Sequence, residues 1–184
     1  MKKFIFILGA VRSGKSHYAI KLAKNLSRKV AYIATCTNPD KEMQERIKLH
    51  KDSRPASWKV VEEAKDISPV LNKLKNKHDV VIIDCLGLLI SNLLSKELEN
   101  NQILNTLKKL AQSISKAKGV TIVVSNEVGS GIIPDNLLAR QFCDLLGMAN
   151  QIMAKWADEV ILMYSGIPLT IKGKQNAEIK SSYR

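Results

Sequence analysis

Short apolar runs alternate with longer amphipathic segments along the chain. The runs are rich in β-branched residues and are bounded by polar residues or glycine, a pattern that predicts strands buried on both faces. The clearest predicted strands are Phe4–Leu8, Val30–Ala34, Val80–Asp84, Val120–Ser125 and Val160–Met163. Weaker strands are predicted near Trp58–Val61 and Leu169–Ile171.

Between the strands, apolar residues recur with helical spacing. The predicted helices are Lys15–Leu26, Lys41–His50, Ile67–Lys75, Leu88–Glu97, Gln102–Lys116 and Asn136–Trp156. Gly147 marks the place at which the last helix is most easily broken, because glycine weakens a helix interior. The alternation of strands and helices predicts an α/β fold, a single doubly wound domain with a mostly parallel sheet. Ligands bind at the carboxyl ends of the strands in such sheets.

Length and hydropathy narrow the class of protein. The chain has 184 residues, of which 45% are hydrophobic, and this is enough to bury one full core. The apolar run Phe4–Leu8 is too short for a signal peptide, and no stretch approaches the roughly 20 apolar residues of a membrane helix. We expect a cytoplasmic protein with a folded domain over residues 1–172 and a basic, flexible tail over residues 173–184.

The formal net charge of +12 favours anionic partners. The 29 lysine and arginine residues are spread along the chain without a dense basic block, so we expect a solvated basic surface and no nucleic-acid partner. Cys36, Cys85 and Cys143 are far apart and form no CxxC pair, which predicts neither a disulfide framework nor a zinc site. Cys85 has a second interpretation as a catalytic thiol, since it follows the carboxylate of Asp84.

The most informative motif is a phosphate-binding loop (P-loop) of the form G-x-x-x-x-G-K-S/T. It reads Gly9-Ala10-Val11-Arg12-Ser13-Gly14-Lys15-Ser16 and lies between a predicted strand and a predicted helix. Backbone N–H groups of such a loop converge on phosphate, and the helix adds the positive end of its dipole. Lys15 is expected to reach the β- and γ-phosphates and Ser16 to bind Mg²⁺. The motif predicts a site for ATP or GTP.

A second motif is the apolar strand Val80–Asp84, which ends in a carboxylate. This is the Walker B form, in which the acid lies near Mg²⁺ at the exit of the strand. Asp84 is therefore either a ligand of the metal or a contact to the substrate. The pairing of this strand with an upstream P-loop strengthens the prediction of a nucleotide site.

His50 is a third candidate. On a helix, Met43, Ile47 and His50 lie on one apolar face. The histidine is flanked in sequence by Arg46, Lys51 and Arg54. Neighbouring cations favour neutral imidazole, the form that attacks phosphorus, and they also bind phosphate oxygens. The alternative is an ordinary structural histidine, and spacing alone favours that alternative.

A fourth candidate is the loop that follows Val120–Ser125. It begins with Asn126-Glu127, contains two glycines and reaches Pro134. A loop in this position is where a substrate loop belongs, and Glu127 is then a base or a substrate ligand. The other interpretation is a plain turn before the next helix.

Taken together, these motifs resemble one family, the bifunctional adenosylcobinamide kinases and adenosylcobinamide-phosphate guanylyltransferases. The resemblance runs from Ile7 to about Lys172. Beyond the P-loop, the matching segments include Tyr32-Ile33-Ala34-Thr35, Glu42-Met43, Arg46-Ile47, His50-Lys51, Arg54-Pro55, Trp58, Asp84-Cys85, Ser91-Asn92-Leu93-Leu94, Asn126-Glu127-Val128-Gly129, Ile132-Ile133-Pro134 and Asn150-Gln151. Gly87 departs from the pattern, because the family usually has a hydroxyl residue there.

The resemblance implies a P-loop NTPase domain of the RecA-like type that carries out two reactions. In the first, the γ-phosphate of ATP or GTP passes to a hydroxyl of adenosylcobinamide. In the second, GTP gives GMP to a histidine, which falls on His50, and GMP then passes to the cobinamide phosphate. The product is adenosylcobinamide-GDP, an intermediate of cobalamin biosynthesis.

The resemblance also assigns residues to roles. Lys15 and His50 become catalytic, and Ser16 and Asp84 become ligands of Mg²⁺. The implied nucleotide contacts are the P-loop, Thr37, Asn38, Pro39, Arg54, Pro55, Glu62 and Asp84. Related proteins form homotrimers with nucleotide sites near subunit boundaries. Two alternatives stay open: a P-loop small-molecule kinase without a covalent intermediate, and a basic nucleic-acid-associated ATPase.

Overall fold

The structure, a computed structural model, describes residues 2–36, 51, 54–96 and 98–173. These residues form a single seven-stranded sheet and the helices that cover it. The strands are β1 (Lys2–Gly9), β2 (Val30–Ala34), β3 (Lys59–Glu62), β4 (Val80–Asp84), β5 (Gly119–Asn126), β6 (Glu159–Tyr164) and β7 (Ile167–Lys172). The described helices are α1 (Lys15–Leu26), α2 (Ile67–Leu74), α3 (Leu86–Leu94), α4 (Asn100–Lys116) and α5 (Leu137–Trp156).

The strand order is β3-β2-β4-β5-β1-β6-β7. Neighbouring strands from β3 to β6 run parallel, and β7 is antiparallel to β6. The turn between β6 and β7 consists of Ser165 and Gly166, whose φ angles are 50° and 85°, as a tight two-residue hairpin requires. Because β5 lies between β1 and β4, the segments that follow these three strands leave the sheet side by side.

Both faces of the sheet are buried. Ile5 and Ile7 of β1 pack with α1 on one face, whereas Phe4 and Phe6 pack with α2 to α5 on the other. Side chains alternate between the faces of a strand, so a strand covered on both sides needs apolar residues at every position. This is why the buried strands appear in the sequence as continuous apolar runs.

The prediction of a mostly parallel α/β sheet is confirmed, and all seven predicted strands are present. The helix α4 begins two residues before the predicted Gln102, because Glu99 and Gln102 form a capping box at its N-terminus. The predicted helix Leu88–Glu97 is wrong at both ends, since the helix begins at Leu86 and does not reach Lys96. That helix ends at Leu94, after which the amide of Lys96 bonds the carbonyl of Leu93 at 3.1 Å in a tighter, 3₁₀-type turn.

A break near Gly147 is also absent, since α5 runs through this residue without interruption. Leu145, Leu146 and Ala149 are fully buried beside it, and packing of this face outweighs the weak helix propensity of glycine. None of the described helices is long and apolar enough to cross a membrane. The predicted helix Lys41–His50 and the predicted tail beyond Gly173 lie outside the described residues.

Candidate functional site

The P-loop joins β1 to α1, and two of its positions require glycine. Gly9 has a φ of 154°, and a Cβ on this residue would lie only 2.4 Å from the carbonyl oxygen of Met163. Gly14 has a φ of 91° and forms the N-cap of α1. Residues with a side chain are strained in these conformations, whereas glycine adopts them at low cost. The loop therefore curls tightly at the start of α1, as a phosphate site needs.

Lys15 is folded back into this loop. Its Nζ donates a hydrogen bond to the carbonyl oxygen of Ala10 at 2.6 Å and lies 3.5 Å from Oγ of Ser13. Only 7% of the residue is exposed. Burial lowers the pKa of Lys15, and the nearby carboxylate of Asp84 acts in the opposite direction. The ammonium group is held where incoming phosphate oxygens can replace the weaker Ala10 carbonyl contact.

Asp84 ends β4 and is bound by a tyrosine of the neighbouring strand. The hydroxyl of Tyr32 donates to Oδ2 of Asp84 at 2.5 Å. Burial, followed by the charge of Asp84, raises the pKa of Tyr32 well above its ordinary value, so the phenol keeps its proton and remains a donor. The guanidinium of Arg54 lies over the same ring, 3.6 Å from its centroid. Arg54, Tyr32 and Asp84 thus form a continuous row of contacts.

Arg54 also has a buried donor without a partner. Its Nε is buried, and no acceptor among the described residues lies within hydrogen-bonding distance. Buried polar atoms are almost always paired in folded proteins, so an unpaired guanidinium nitrogen in a candidate site points to a ligand. An anionic phosphate or the polar edge of a base satisfies this requirement.

The backbone around Asp84 is fixed from the side of β2. Oγ1 of Thr35 accepts from the amide of Cys85 at 2.7 Å and donates to the carbonyl of Cys85 at 2.8 Å. The side chain of Asn92 donates to the carbonyl of Thr35 at 2.7 Å. Burial, and then the charge of Asp84, raises the pKa of the Cys85 thiol to about 12. A thiol of this pKa is protonated at neutral pH, which disfavours Cys85 as a nucleophile.

The exit of β5 lies beside the P-loop. Asn126 pairs with Gly9 in the sheet, and the amide of Glu127 donates to the carbonyl of Gly9 at 2.9 Å. The buried side chain of Asn150 accepts from the Ser125 hydroxyl at 2.7 Å and donates to the carbonyl of Asn126 at 3.0 Å. These bonds anchor the root of the loop that follows β5.

Beyond this root, the loop exposes apolar side chains. Ile132 is 99% exposed and Ile133 is 77% exposed. Glu127 is partly buried, and its Oε1 accepts from the amide of Gly129 at 3.1 Å. Gly87 faces the same region, because a Cβ on it would lie 3.7 Å from Nδ2 of Asn126.

The structure brings some of the predicted site residues together and leaves others apart. Lys15, Asp84 and Arg54 belong to one cluster, and Ser16 occupies the first turn of α1 beside it. Glu62 ends the edge strand β3, in register two strands from Asp84 and therefore about 10 Å away. Its carboxylate lies 3.7 Å from Nζ of the mostly exposed Lys51.

Not every predicted site residue belongs to this cluster. Outside the described residues lie His50, Thr37, Asn38 and Pro39. Pro55 is described and is partly buried, and its carbonyl oxygen accepts from the amide of Trp58 at 3.0 Å.

The sequence prediction missed two contacts of the site. Tyr32 belongs to a predicted strand and to a segment that matches the family, but the sequence gives it no role in the site, although it binds Asp84 and stacks on Arg54. The turn at Gly166 was not connected with the site, yet its amide donates to the carbonyl of Ser13 in the P-loop at 3.2 Å. Both contacts join segments that are distant in sequence, and only the pairing of the strands reveals them.

The oxygen donors at this site suit Mg²⁺. Ser16 offers a hydroxyl at the start of α1, and Asp84 offers a carboxylate at the end of β4. Magnesium prefers oxygen ligands and is usually held by one or two protein groups together with phosphate oxygens. The residues therefore fit a Mg²⁺–nucleotide complex.

Comparison with known proteins shows the family of the chain. A family model described as "Cobinamide kinase / cobinamide phosphate guanyltransferase" matches residues 5–171. The bifunctional adenosylcobalamin biosynthesis proteins CobU of Escherichia coli and Salmonella typhimurium are 35% and 36% identical over 180 residues, covering 91% of this chain and 99% of theirs. CobP of Pseudomonas aeruginosa, named in the same way, is 34% identical over 168 residues, which is 91% of this chain and 96% of CobP.

A solved structure described as an "ATPase Domain" has the same fold. It superposes with a TM-score of 0.52 at 18% identity, over 89% of this chain and 69% of that chain. This similarity concerns the fold alone and agrees with the RecA-like P-loop architecture expected from the sequence. The family match carries the identification: the chain belongs to the cobinamide kinase / cobinamide phosphate guanyltransferase family, a family of transferases.

Proposed function

We propose that this chain phosphorylates adenosylcobinamide with ATP or GTP and then transfers GMP from GTP to the product, giving adenosylcobinamide-GDP in cobalamin biosynthesis. The observation that carries this proposal is that the buried Lys15 of the P-loop lies close enough to Asp84 for their charges to interact. The chain also matches the family over residues 5–171. Residues 1–172 form the catalytic domain in this proposal. We place the enzyme in the cytoplasm, where its nucleotide substrates are available.

In the kinase reaction, the acceptor hydroxyl attacks the γ-phosphorus, and the bond from this phosphorus to the bridging oxygen breaks. A nucleoside diphosphate leaves, and the hydroxyl proton passes to a base, for which Glu127 is the candidate. Lys15 binds the β- and γ-phosphate oxygens and stabilises their charge in the transition state. Ser16 and Asp84 hold Mg²⁺, which neutralises phosphate charge when it is bound.

In the guanylyl transfer, an imidazole nitrogen of His50 attacks the α-phosphorus of GTP and pyrophosphate leaves. The N–H proton of the ring passes to solvent as the P–N bond forms. A phosphate oxygen of adenosylcobinamide phosphate then attacks the same phosphorus, the P–N bond breaks, and the ring takes up a proton, which restores neutral His50. The covalent intermediate divides one transfer between two anions into two steps. The high pKa of Cys85, about 12, argues against a thiol in this role.

We propose that the acceptor, adenosylcobinamide or its phosphate, binds at the loop that follows β5. This loop leaves the sheet beside Gly9 of the P-loop, so an acceptor on it is close to the phosphates. Its exposed Ile132 and Ile133 provide apolar surface for the hydrocarbon parts of a corrinoid. Asn126 and Glu127 provide polar groups near the reacting hydroxyl.

We also propose that the chain assembles as a homotrimer, as the family resemblance implies. The edge strand β7 supports an assembly, because Ile167, Leu169 and Ile171 are 57%, 47% and 60% exposed. An edge strand with apolar side chains is a ready surface for another chain. Light scattering coupled to size-exclusion chromatography should give the mass of three chains, and a monomer at micromolar concentration would contradict this assembly.

The two reactions are tested with purified protein, Mg²⁺ and adenosylcobinamide, with product masses followed by mass spectrometry. ATP alone should give adenosylcobinamide phosphate, and the addition of GTP should give adenosylcobinamide-GDP. His50→Ala should stop at the phosphate. If the wild-type protein makes only adenosylcobinamide phosphate, it is a small-molecule kinase without the second activity. A His50→Ala variant that makes the GDP ester at the wild-type rate excludes the covalent route.

A further inference from the structure

We propose that Tyr32 is a positioning residue of the nucleotide site: its hydroxyl sets the carboxylate of Asp84 for Mg²⁺, and its ring holds Arg54 for the nucleotide. This inference rests on the proposed function, since it presumes that Asp84 serves a Mg²⁺–nucleotide complex. It adds a residue that touches neither phosphate nor metal and acts through two neighbours.

The position of Tyr32 follows from the register of β2 and β4. Ala34 pairs with Asp84, and Tyr32 pairs with Ile82. Tyr32 is thus diagonal to Asp84 on the same face of the sheet, a spacing that a long side chain spans. The phenol reaches Oδ2 at 2.5 Å and fixes the rotation of the carboxylate.

Packing alone does not require the hydroxyl of Tyr32. The residue is 1% exposed in the apolar cluster under α1, where a phenylalanine ring would fill the same space. A buried hydroxyl needs a partner, because an unpaired one is costly in an apolar surrounding. In this position it finds the carboxylate at the exit of β4. Partners that orient metal ligands in this way are typical of functional metal sites.

The opposite side of the phenol supports Arg54. The guanidinium lies 3.6 Å from the centroid of the ring, and its buried Nε has no acceptor among the residues that the structure describes. Stacking on the ring restricts the Arg54 side chain. A single tyrosine therefore contacts both the metal-side acid and the nucleotide-side cation.

The test uses Tyr32→Phe, which keeps the ring and removes only the hydroxyl. Binding of a GTP analogue with a non-hydrolysable α,β-bridge, which His50 cannot cleave, is measured by calorimetry in EDTA and across a series of Mg²⁺ concentrations. Half-saturating Mg²⁺ should rise about tenfold or more, the range seen when a partner of a metal ligand is lost. Metal-free affinity should change less than about twofold, since Lys15 and the ring under Arg54 remain.

Two further variants separate positioning from general loosening of the core. Thr121→Val removes another buried hydroxyl, from the middle of β5, and should leave the Mg²⁺ dependence unchanged. In an Asp84→Ala background, Tyr32→Phe should have no further effect on half-saturating Mg²⁺, because its route of action is gone.

The outcomes decide between this inference and the function on which it rests. Wild-type Mg²⁺ dependence in Tyr32→Phe overturns the inference. An equal loss of nucleotide affinity in EDTA and in Mg²⁺ also overturns it. The same holds if Tyr32→Phe still raises the half-saturating Mg²⁺ concentration in the Asp84→Ala background. If the wild-type protein binds no nucleotide at all, the proposed function fails together with the inference. If wild type binds and Tyr32→Phe matches it, the inference alone fails.

Discussion

The two sides of the P-loop are built differently. On the side of β2 and β4, Tyr32, Thr35 and Asp84 are buried or partly buried and are joined by hydrogen bonds of 2.5 to 3.1 Å. On the side of β5, hydrogen bonds hold the root of the loop and the carbonyl of Pro134, and between these points Ile132 and Ile133 are 99% and 77% exposed. The β2–β4 side contains buried polar groups that are hydrogen-bonded to one another, whereas the β5 side presents apolar side chains to solvent.

The difference indicates which side of the P-loop binds each of the two substrates. Groups that bind phosphate gain most when they are fixed beforehand, because no free energy is then lost in orienting them. A large acceptor is better served by an exposed surface that it covers on binding. We therefore interpret the β2–β4 side as the nucleotide side and the β5 loop as the acceptor side.

Lys15→Met should break the nucleotide side with the largest effect. The variant loses the one buried ammonium at the P-loop of the described structure while keeping most of the side-chain volume. Turnover in both reactions should fall at least about 100-fold, the usual cost of removing a charge-stabilising donor. Steady-state kinetics check this, with Lys108→Met on the exposed face of α4 as a control that should behave as wild type.

Replacing both exposed isoleucines should affect the acceptor side alone. In the double variant Ile132→Ser, Ile133→Ser, the apparent KM for adenosylcobinamide should rise about tenfold, as expected from the loss of roughly 1.5 kcal/mol of apolar contact. The Kd of GTP should stay within about twofold of wild type. A loss of GTP affinity equal to the loss of acceptor affinity would remove the distinction between the two sides.

Asn150→Ala tests the root of the acceptor loop. The change leaves the Ser125 hydroxyl and the Asn126 carbonyl without their buried partner, which should cost about 2 kcal/mol of the free energy of unfolding. Urea unfolding measures this cost. Gln141→Ala, which removes an exposed side-chain hydrogen bond to Asn100, should change stability by less than about 0.5 kcal/mol.

Cys85→Ala should have the smallest effect, with turnover within about threefold of wild type, because a thiol of high pKa supplies no nucleophile. Burial raises the pKa of Cys85 from 9.0 to about 12, so its alkylation by iodoacetamide should keep increasing above pH 9. Labelling that levels off near pH 9, with loss of activity in Cys85→Ala, would restore the catalytic thiol.

The parts of the site that are local in sequence were predictable. The P-loop with Lys15 and the strand ending at Asp84 are defined by residues within a few positions of each other, and the structure has both. The bond from Tyr32 to Asp84 was not predictable, because it depends on β2 lying beside β4 in one register.

Helix boundaries were missed for a related reason. The end of α3 coincides with a 3₁₀-type turn at Lys96, and the continuity of α5 at Gly147 depends on tertiary packing. Propensity alone decides neither feature. Strand positions were the most reliable part of the prediction, since a buried parallel sheet requires continuous apolar runs.

The most direct test of the account is whether GMP becomes attached to His50. Protein is incubated with Mg²⁺ and GTP labelled at the α-phosphate, denatured and examined for retained label, beside γ-labelled GTP and the His50→Ala variant. We predict acid-labile label from the α position only, absent in His50→Ala. Unlabelled wild-type protein that nevertheless binds GTP would contradict the account and leave a P-loop kinase in which His50 is structural.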